Sequence, residues 1–216
     1  MRGACVPLVA LALLAGCGSD SDNLRPVASS APADSPAPAA PQAPADAAQM
    51  DEAAFWELIA DTRAVAGNQT DGQSDLLEQR LRHLPPEQIA QFEQIRQGLD
   101  RQAYTYELWG AAYVIEDGCS DDCFRDFRGY LISLGRGPYE SALRDPDSLA
   151  GVAQDAETGN WENADDVAPD AYEGVADEDI PTGDSEPSGD PRGAAWDDEQ
   201  SEELVQRYPR LAARFR

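Results

Sequence analysis

Apolar residues recur every three or four positions between residues 51 and 152, which is the spacing of helices that bury one face. No stretch of this part alternates apolar and polar residues as a half-buried strand would. The pattern predicts a mainly α fold, a small helical bundle of about five to seven helices. The apolar faces of four of them are Phe55, Ile59, Thr62 and Ala66; Leu77, Leu81 and Leu84; Ile89, Phe92, Ile95 and Leu99; and Phe124, Phe127, Leu131 and Leu134.

Residues with known preferences for helix ends mark the limits of the first three helices. Asp51 precedes the first helix and Gly67 follows it. Ser74 is a favourable N-cap, so we expect the second helix to begin there, after a polar turn. The pair Pro85-Pro86 ends the second helix and can open the third, because proline is tolerated in the first turn.

The fourth predicted helix, from about residue 102 to 116, is apolar on more than one face. A helix that is apolar nearly all round is usually a central one. Gly110 inside it costs about 1 kcal/mol relative to alanine, and we expect a close approach of another helix to offset this cost. The two apolar faces are Tyr104, Leu108, Ala111 and Ile115 on one side, and Tyr106, Trp109 and Tyr113 on the other.

Ser120 is predicted to cap the fifth helix, with Asp121 and Asp122 in its first turn, where carboxylates interact favourably with the helix dipole. A short helix over residues 139–143 comes next, and then Asp145-Pro146, which is typical of an N-cap followed by the first helical residue. The helical domain is therefore expected to cover residues 50–152.

An acidic extension occupies residues 153–216 and ends in a short basic helix that Pro209 bends or divides. Its aromatic residues are sparse but large, so we expect them to pack the extension on the domain. They are Trp161, Tyr172 and Trp196.

The formal net charge is −25 and is unevenly distributed. Residues 153–203 carry 18 acidic residues and one arginine, whereas four arginines lie in the last 13 residues. Nucleic acid is excluded as a partner, because its binding requires clustered positive charge. The simplest interpretation of the acidity is solubility or adaptation to salt. The alternative is that it captures an unknown protein or a cationic ligand, Ca²⁺ included. All 16 basic residues are arginines, so lysine chemistry is also excluded.

The chain begins with a pattern that resembles a bacterial lipobox. A short apolar run follows Arg2 and ends at Leu14-Ala15-Gly16-Cys17. The run has about ten residues, whereas a membrane span needs roughly 20. We expect residues 1–16 to be a lipoprotein signal peptide. Cys17 would carry the lipid, and palmitate would be one of its acyl chains. The protein would then be extracytoplasmic and bound to a membrane through this lipid only. In a cell with two membranes, Gly18 favours the outer membrane and the periplasm.

Residues 17–49 form a predicted linker that is dense in alanine and proline. Such a segment buries too little apolar surface to fold and favours extended polyproline II. At about 3.1 Å per residue it could hold the domain up to roughly 80 Å from the lipid.

Cys119 and Cys123 are the cysteine pair in the folded part, and outside the cytoplasm they could form a disulfide. No metal site and no cofactor are predicted. A zinc site of the usual type needs four Cys or His ligands, and the chain adds only His83. The acidic extension does not form an EF-hand, because Ala195 stands where that loop needs a bidentate glutamate.

Residues 50–152 resemble the bacterial domain-of-unknown-function family 4240, and weaker similarity continues to the C-terminus. The resemblance implies a small, mainly helical domain and no established activity, so it supplies no catalytic residues. It rests on five motifs in order, FWxLI at 55–59, LWGAAY at 108–113, GCSDDxF at 118–124, FRxxLISxG at 127–135 and DPDSLA at 145–150.

The candidate binding residues lie in two aspartate-bearing groups. The simplest interpretation of both groups is helix capping. Because no complete catalytic set is present, we expect a non-enzymatic binding or interaction domain and predict no catalytic residue. The alternative is a hydrolase in which a deep polar pocket joins the groups as paired carboxylates. The residues are Ser120, Asp121, Asp122, Arg128, Asp145 and Asp147.

Overall fold

Helices account for the fold in the residues that the computed structural model describes, which are 49–152, 161–183, 186–196 and 201–216. The mainly α class is confirmed. Within the described residues, seven helices lie before residue 153, in agreement with the predicted five to seven, and three more lie in the acidic extension. They are α1 (Glu52–Ala66), α2 (Thr70–Leu81), α3 (Pro86–Ala103), α4 (Tyr106–Ile115), α5 (Asp121–Ser133), α6 (Arg136–Arg144), a 3₁₀ helix (Pro146–Gly151), α7 (Val167–Ala176), α8 (Ser201–Arg207) and α9 (Pro209–Phe215).

The predicted signal peptide, the lipid-bearing Cys17 and nearly all of the predicted linker lie outside the described residues. No helix within the described ranges is both long and apolar enough to cross a membrane.

The predicted ends of α1 and α5 follow from local chemistry. The Asp51 carboxylate accepts the Ala54 N–H at 2.8 Å, and Gly67 ends α1 with a φ of 64°. Ser120 caps α5 and accepts the Cys123 N–H at 3.3 Å. The apolar faces of α1, α2, α3 and α5 then meet in the core. Its largest buried side chains include Phe55, Ile59, Leu77, Leu81, Ile89, Phe92, Phe124 and Phe127.

Ser74 does not cap the second helix, which begins four residues earlier at Thr70. Gln73 and Ser74 are buried inside α2 instead. The Gln73 amide donates to the Ile59 and Ser133 carbonyls at 3.3 Å, and Ser74 accepts the Trp161 indole N–H. The prediction was wrong because these polar side chains are paired by distant segments, and local sequence does not show this.

The fourth helix was also predicted to begin too early. α3 continues to Ala103, and the helix is interrupted at Tyr104. Thr105 then caps α4 by accepting the Leu108 N–H at 3.1 Å. The break is fixed from outside, because Tyr104 and Tyr106 pair with the backbone of Arg192. The predicted close approach at Gly110 is present. A Cβ there would lie 3.0 Å from side-chain atoms of Leu204 and Tyr208.

The described parts of the acidic extension pack on the domain. α7 contacts α2 and α3, and Trp161 is 2% exposed. Gly129 of α5 faces this segment so closely that an added Cβ would lie 2.8 Å from the Ala164 Cβ. At the C-terminus, Pro209 separates α8 from α9, and α9 packs against α4 and the 3₁₀ helix.

Candidate functional site

A pocket of about 390 Å³ lies beside α4, where the chain turns into α5. Its volume falls within the range of roughly 300–1,000 Å³ that small-molecule sites occupy. Three of its lining residues are aromatic, and three come from the predicted Cys-Ser-Asp motif. The lining residues are Tyr106, Trp109, Cys119, Ser120, Asp121 and Trp196.

The turn between α4 and α5 places the polar side of this pocket. Asp117 and Gly118 adopt positive φ angles of 55° and 121°, a region that aspartate tolerates and glycine favours. Cys119 and Cys123 are joined by a disulfide with 5.3 Å between their Cα atoms, which connects the turn to the first turn of α5. The pocket residues Ser120 and Asp121 lie between the two cysteines.

Stacked rings form the apolar side of the pocket. The Trp109 ring lies parallel to the Phe124 ring at a centroid distance of 5.1 Å and parallel to Tyr106 at 6.3 Å. Trp196 stands edge-on to Trp109 at 6.1 Å and to Tyr113 at 5.1 Å. Such pairs contribute about 0.5–1.5 kcal/mol beyond area burial, so the walls are well fixed.

Both indole N–H groups of the pocket are already used within the protein. Trp109 donates to the Cys119 carbonyl at 2.9 Å, and Trp196 donates to the Tyr106 carbonyl at 3.0 Å. The two tryptophans therefore offer ring surface to a ligand and not hydrogen-bond donors. Polar side-chain contact is left to the exposed Ser120 and Asp121 and to the Tyr106 hydroxyl.

Trp196 reaches the pocket from the acidic extension, at the end of residues 186–196. The Arg192 N–H donates to the Tyr104 carbonyl at 3.1 Å, and its carbonyl accepts the Tyr106 N–H at 2.8 Å. Gly193 has a φ of 96°, and a Cβ there would collide with the Glu107 carboxylate. These contacts hold the segment against the start of α4.

Sequence reasoning missed the aromatic half of the pocket. The face of Tyr106, Trp109 and Tyr113 was expected to be a second core face, but all three are only half-buried. A lone tryptophan in an acidic segment was the available signal, because Trp196 completes this face.

The stacked and edge-on rings of the pocket and its inner neighbours form a ring cluster with carboxylates nearby, and its members are Tyr104, Tyr106, Trp109, Phe124 and Trp196. Burial raises the pKa of Tyr104, and the nearby carboxylates of Asp121 and Asp190 raise it further. The opposing cation is Arg128, whose guanidinium lies 4.9 Å from the Tyr104 ring centroid and 5.1 Å from that of Phe124.

Arg128, a predicted binding residue, belongs to the interior. It is 2% exposed and donates from Nε to Asp100 Oδ1 at 2.9 Å. Burial raises the pKa of Asp100, although Arg128 and Arg96 act against this. A second buried arginine, Arg96, contacts Glu93 at 2.7 Å and Asp165 at 2.6 Å. The sequence does not predict this buried ion network, because charged residues with the spacing of positions 93, 96 and 100 in α3 are typical of a solvated helix face.

Asp145 and Asp147 contact the start of the C-terminal helix α9. Asp147 accepts the backbone N–H groups of Arg210 at 3.1 Å and Leu211 at 2.9 Å, at the start of α9. Burial opposes ionisation, but these bonds and the Arg210 side chain hold the pKa of Asp147 below its ordinary value. Asp145 pairs with Arg210 at 2.5 Å and makes no side-chain cap bond to the 3₁₀ helix. Asp147 therefore caps α9, and Asp145 adds an ion pair with the Arg210 side chain.

The structure therefore does not gather the six predicted residues into one polar pocket. Ser120 and Asp121 line the aromatic pocket, and Asp122 is exposed with Arg125 at 3.7 Å. Arg128 lies in the buried ion network, while Asp145 and Asp147 bind α9. The hydrolase hypothesis, which needs these groups to converge, gains no support from this geometry.

His83 is exposed, and its Nδ1 lies 2.7 Å from the Gln79 carbonyl. Across the described ranges, no group of three or more histidine, cysteine, aspartate or glutamate side chains could hold a metal ion.

These observations define a small helical domain with an aromatic pocket beside the capped end of α5. Residues 50–174 match the family described as a protein of unknown function, DUF4240. The match covers more than half of the chain, so the chain belongs to this family, as its motifs indicated. The matched region passes residue 152 and extends into α7. No curated protein and no solved structure matches the chain.

Proposed function

We propose that this protein is a lipid-anchored, extracytoplasmic binding domain without catalytic activity, and that its ligand occupies the pocket between α4 and α5. One observation carries the binding role. Three fixed aromatic side chains and an exposed hydroxyl–carboxylate pair converge on a pocket of about 390 Å³. Mostly aromatic walls with a few placed polar groups are typical of ligand sites.

The same pocket argues against hydrolysis. A nucleophilic serine needs a neighbouring base, but Ser120 accepts a hydrogen bond from the Cys123 N–H as a helix cap. Among the described residues that line the pocket, Asp121 is the one carboxylate, and none of them supplies the second member that paired-carboxylate chemistry needs. The arrangement supports binding and positioning of a ligand.

The anchor rests on the lipobox at Cys17. Each buried acyl CH₂ contributes about 0.8 kcal/mol, and stable anchoring needs more than one chain, as the lipoprotein modification supplies. The net charge of −25 should keep the domain off anionic membranes. The lipid and linker would therefore confine the domain near a surface, in the periplasm if the cell has two membranes.

Replacing the predicted lipid acceptor tests the anchor. We expect Cys17→Ala to abolish radiolabelled palmitate incorporation and to block signal-peptide removal, because the modified cysteine defines the cleavage site. Labelling and N-terminal analysis of the protein from bacterial membranes measure both effects. Cys5→Ala should change neither result and serves as the control. Lipid incorporation that persists in Cys17→Ala would refute the anchor.

A fragment screen tests the pocket. We expect one chemical class in a panel of cationic, neutral and anionic fragments to shift the ¹⁹F signals of fluorotryptophan at Trp109 and Trp196. The signals of Trp56 and Trp161 should stay in place, because these residues are 5% and 2% exposed. Single Trp→Phe variants assign the four signals. A panel that moves neither pocket signal at millimolar concentration would contradict the proposed binding role.

A further inference from the structure

The chemistry of the pocket walls restricts the ligand more narrowly than its volume does. We infer that the pocket binds a small organic cation of the alkylammonium type, with the Tyr106, Trp109 and Trp196 rings around its alkyl groups and Asp121 against its charge. This inference rests on the proposed function of the same pocket.

The pocket walls present aromatic ring surface to a ligand. Aromatic rings carry negative potential on their faces and attract a cation within about 6 Å of the ring centre. Because the Trp109 and Trp196 N–H groups both donate to backbone carbonyls, these walls offer ring surface without donors. A ligand rich in acceptors would find few partners there, whereas a cation with apolar substituents has no acceptor that would be left unpaired.

The charge of the pocket also favours a cation. Asp121 lines the pocket, and no arginine is among its described lining residues. The nearest ring-bound guanidinium, Arg128, lies against Tyr104 and Phe124 and is paired with buried Asp100. A cation entering the pocket would therefore meet the exposed Asp121 carboxylate, which has no arginine beside it among the described lining residues.

The helix N-terminus at α5 would, taken alone, favour an anion. Here the first turn already contains Asp121 and Asp122, and the Ser120 hydroxyl accepts the Cys123 N–H. An anion would have to approach these two carboxylates. The local charge thus reverses the usual preference of a helix start and favours a cation.

The same ring cluster already holds one cation on its inner side. The Arg128 guanidinium lies about 5 Å from the centroids of two of the cluster's rings, at 4.9 Å and 5.1 Å. Phe124, one of these rings, stacks on Trp109 of the pocket wall. A cation in the pocket would repeat on the outer side an interaction that the fold uses inside.

Choline and its uncharged isostere 3,3-dimethylbutan-1-ol provide the direct test, because they have nearly the same shape. We expect choline to shift the Trp109 and Trp196 ¹⁹F signals with an affinity about tenfold higher than that of the isostere. Propionate should bind more weakly than either. Comparison with N-acetyl-lysine methylamide shows whether a free alkylammonium or a protein side chain is the better form of the cation.

Asp121→Asn and Asp122→Asn form a matched pair of variants, since both remove one charge from the first turn of α5. Asp122 has an 84% exposed side chain and does not line the pocket. We expect Asp121→Asn to weaken choline binding by about threefold to tenfold and leave isostere binding unchanged. Asp122→Asn should alter choline binding by less than about twofold.

The outcomes separate this inference from the proposed function. Equal binding of choline and the isostere, or tighter binding of propionate, would overturn the cation inference and leave a working pocket. Equal effects of the two asparagine variants would also overturn it. If no probe moves the Trp109 and Trp196 signals, the inference fails, and the fragment panel decides whether the binding role fails with it. The wild-type comparison stands even if a variant folds poorly.

Discussion

Arg128→Met is expected to lower the free energy of unfolding by about 3–5 kcal/mol at neutral pH, because it leaves the buried carboxylate of Asp100 without its partner. The Arg128 and Asp100 side chains are 3% and 7% exposed, so water cannot replace the lost contact. The long methionine side chain keeps most of the packing volume. Urea unfolding followed by circular dichroism measures the change.

The pH dependence of this loss identifies its cause. The pKa of Asp100 is raised above 3.8 by burial, so its ionisation in the folded state lowers stability as the pH rises through that pKa. Removing Arg128 takes away a charge and a hydrogen bond that lower this pKa. The pKa of Asp100 therefore rises further in the variant. The deficit of Arg128→Met should shrink as the pH falls, because protonation of Asp100 removes the buried charge that Arg128 balances.

Arg125→Met is the matched control, since Arg125 lies on the same helix and its ion-pair distances to Asp122, Asp126 and Glu186 are 3.6–3.9 Å. Its side chain is 41% exposed, and we expect a change below about 1 kcal/mol. Arg128→Met combined with Asp100→Leu should recover much of the loss, because no buried charge is then unpaired. A deficit that is small, or that stays constant between neutral pH and pH 4, would refute the role of the pair.

Gly129→Ala is expected to destabilise the protein by about 1–3 kcal/mol through overpacking. The new Cβ would lie 2.8 Å from the Ala164 Cβ and 3.3 Å from the Trp161 carbonyl oxygen. Trp161 is held in place by two hydrogen bonds. Its indole N–H donates to the Ser74 hydroxyl, and its backbone N–H donates to the Asp126 carbonyl. The segment cannot move away without breaking these bonds. Thermal unfolding by calorimetry measures the loss.

Gly98→Ala provides the opposite control in the interior of α3. Nothing lies within 4 Å of a Cβ at this exposed position, so helix propensity alone should act. We expect a gain of about 0.8–1 kcal/mol. If both substitutions stabilise the protein equally, the contact of residues 161–164 with α5 is not tight in solution.

Features that depend on residues a few positions apart could be predicted from the sequence. Asp51 and Ser120 cap their helices as predicted, since a cap depends on a side chain and an N–H three residues away. The spacing of apolar residues also placed the core faces of α1, α3 and α5 correctly. Gly110 indicated a close helix approach because glycine in a helix interior needs a compensating contact.

The candidate site could be predicted only in part. Ser120 and Asp121 were predicted as binding residues, but Tyr106, Trp109 and Trp196 were predicted only as packing residues. Trp196 lies some 90 residues from Tyr106, whose carbonyl it contacts, so the sequence does not show that they meet. The helix break at Tyr104 escaped detection for the same reason, since the backbone of Arg192 fixes it.

The sequence by itself determined the helical class, most helix ends, the family and the overall acidity, all of which depend on composition or on neighbours a few residues apart. Only the tertiary structure decided which charges are buried and which aromatic face forms a pocket. Glu93, Arg96 and Asp100 have the spacing of a solvated helix face, yet Asp165 and Arg128 approach from distant segments and pair with them. Charges can be buried only when they are paired, and the spacing of residues along one helix does not show which distant segments supply the partners.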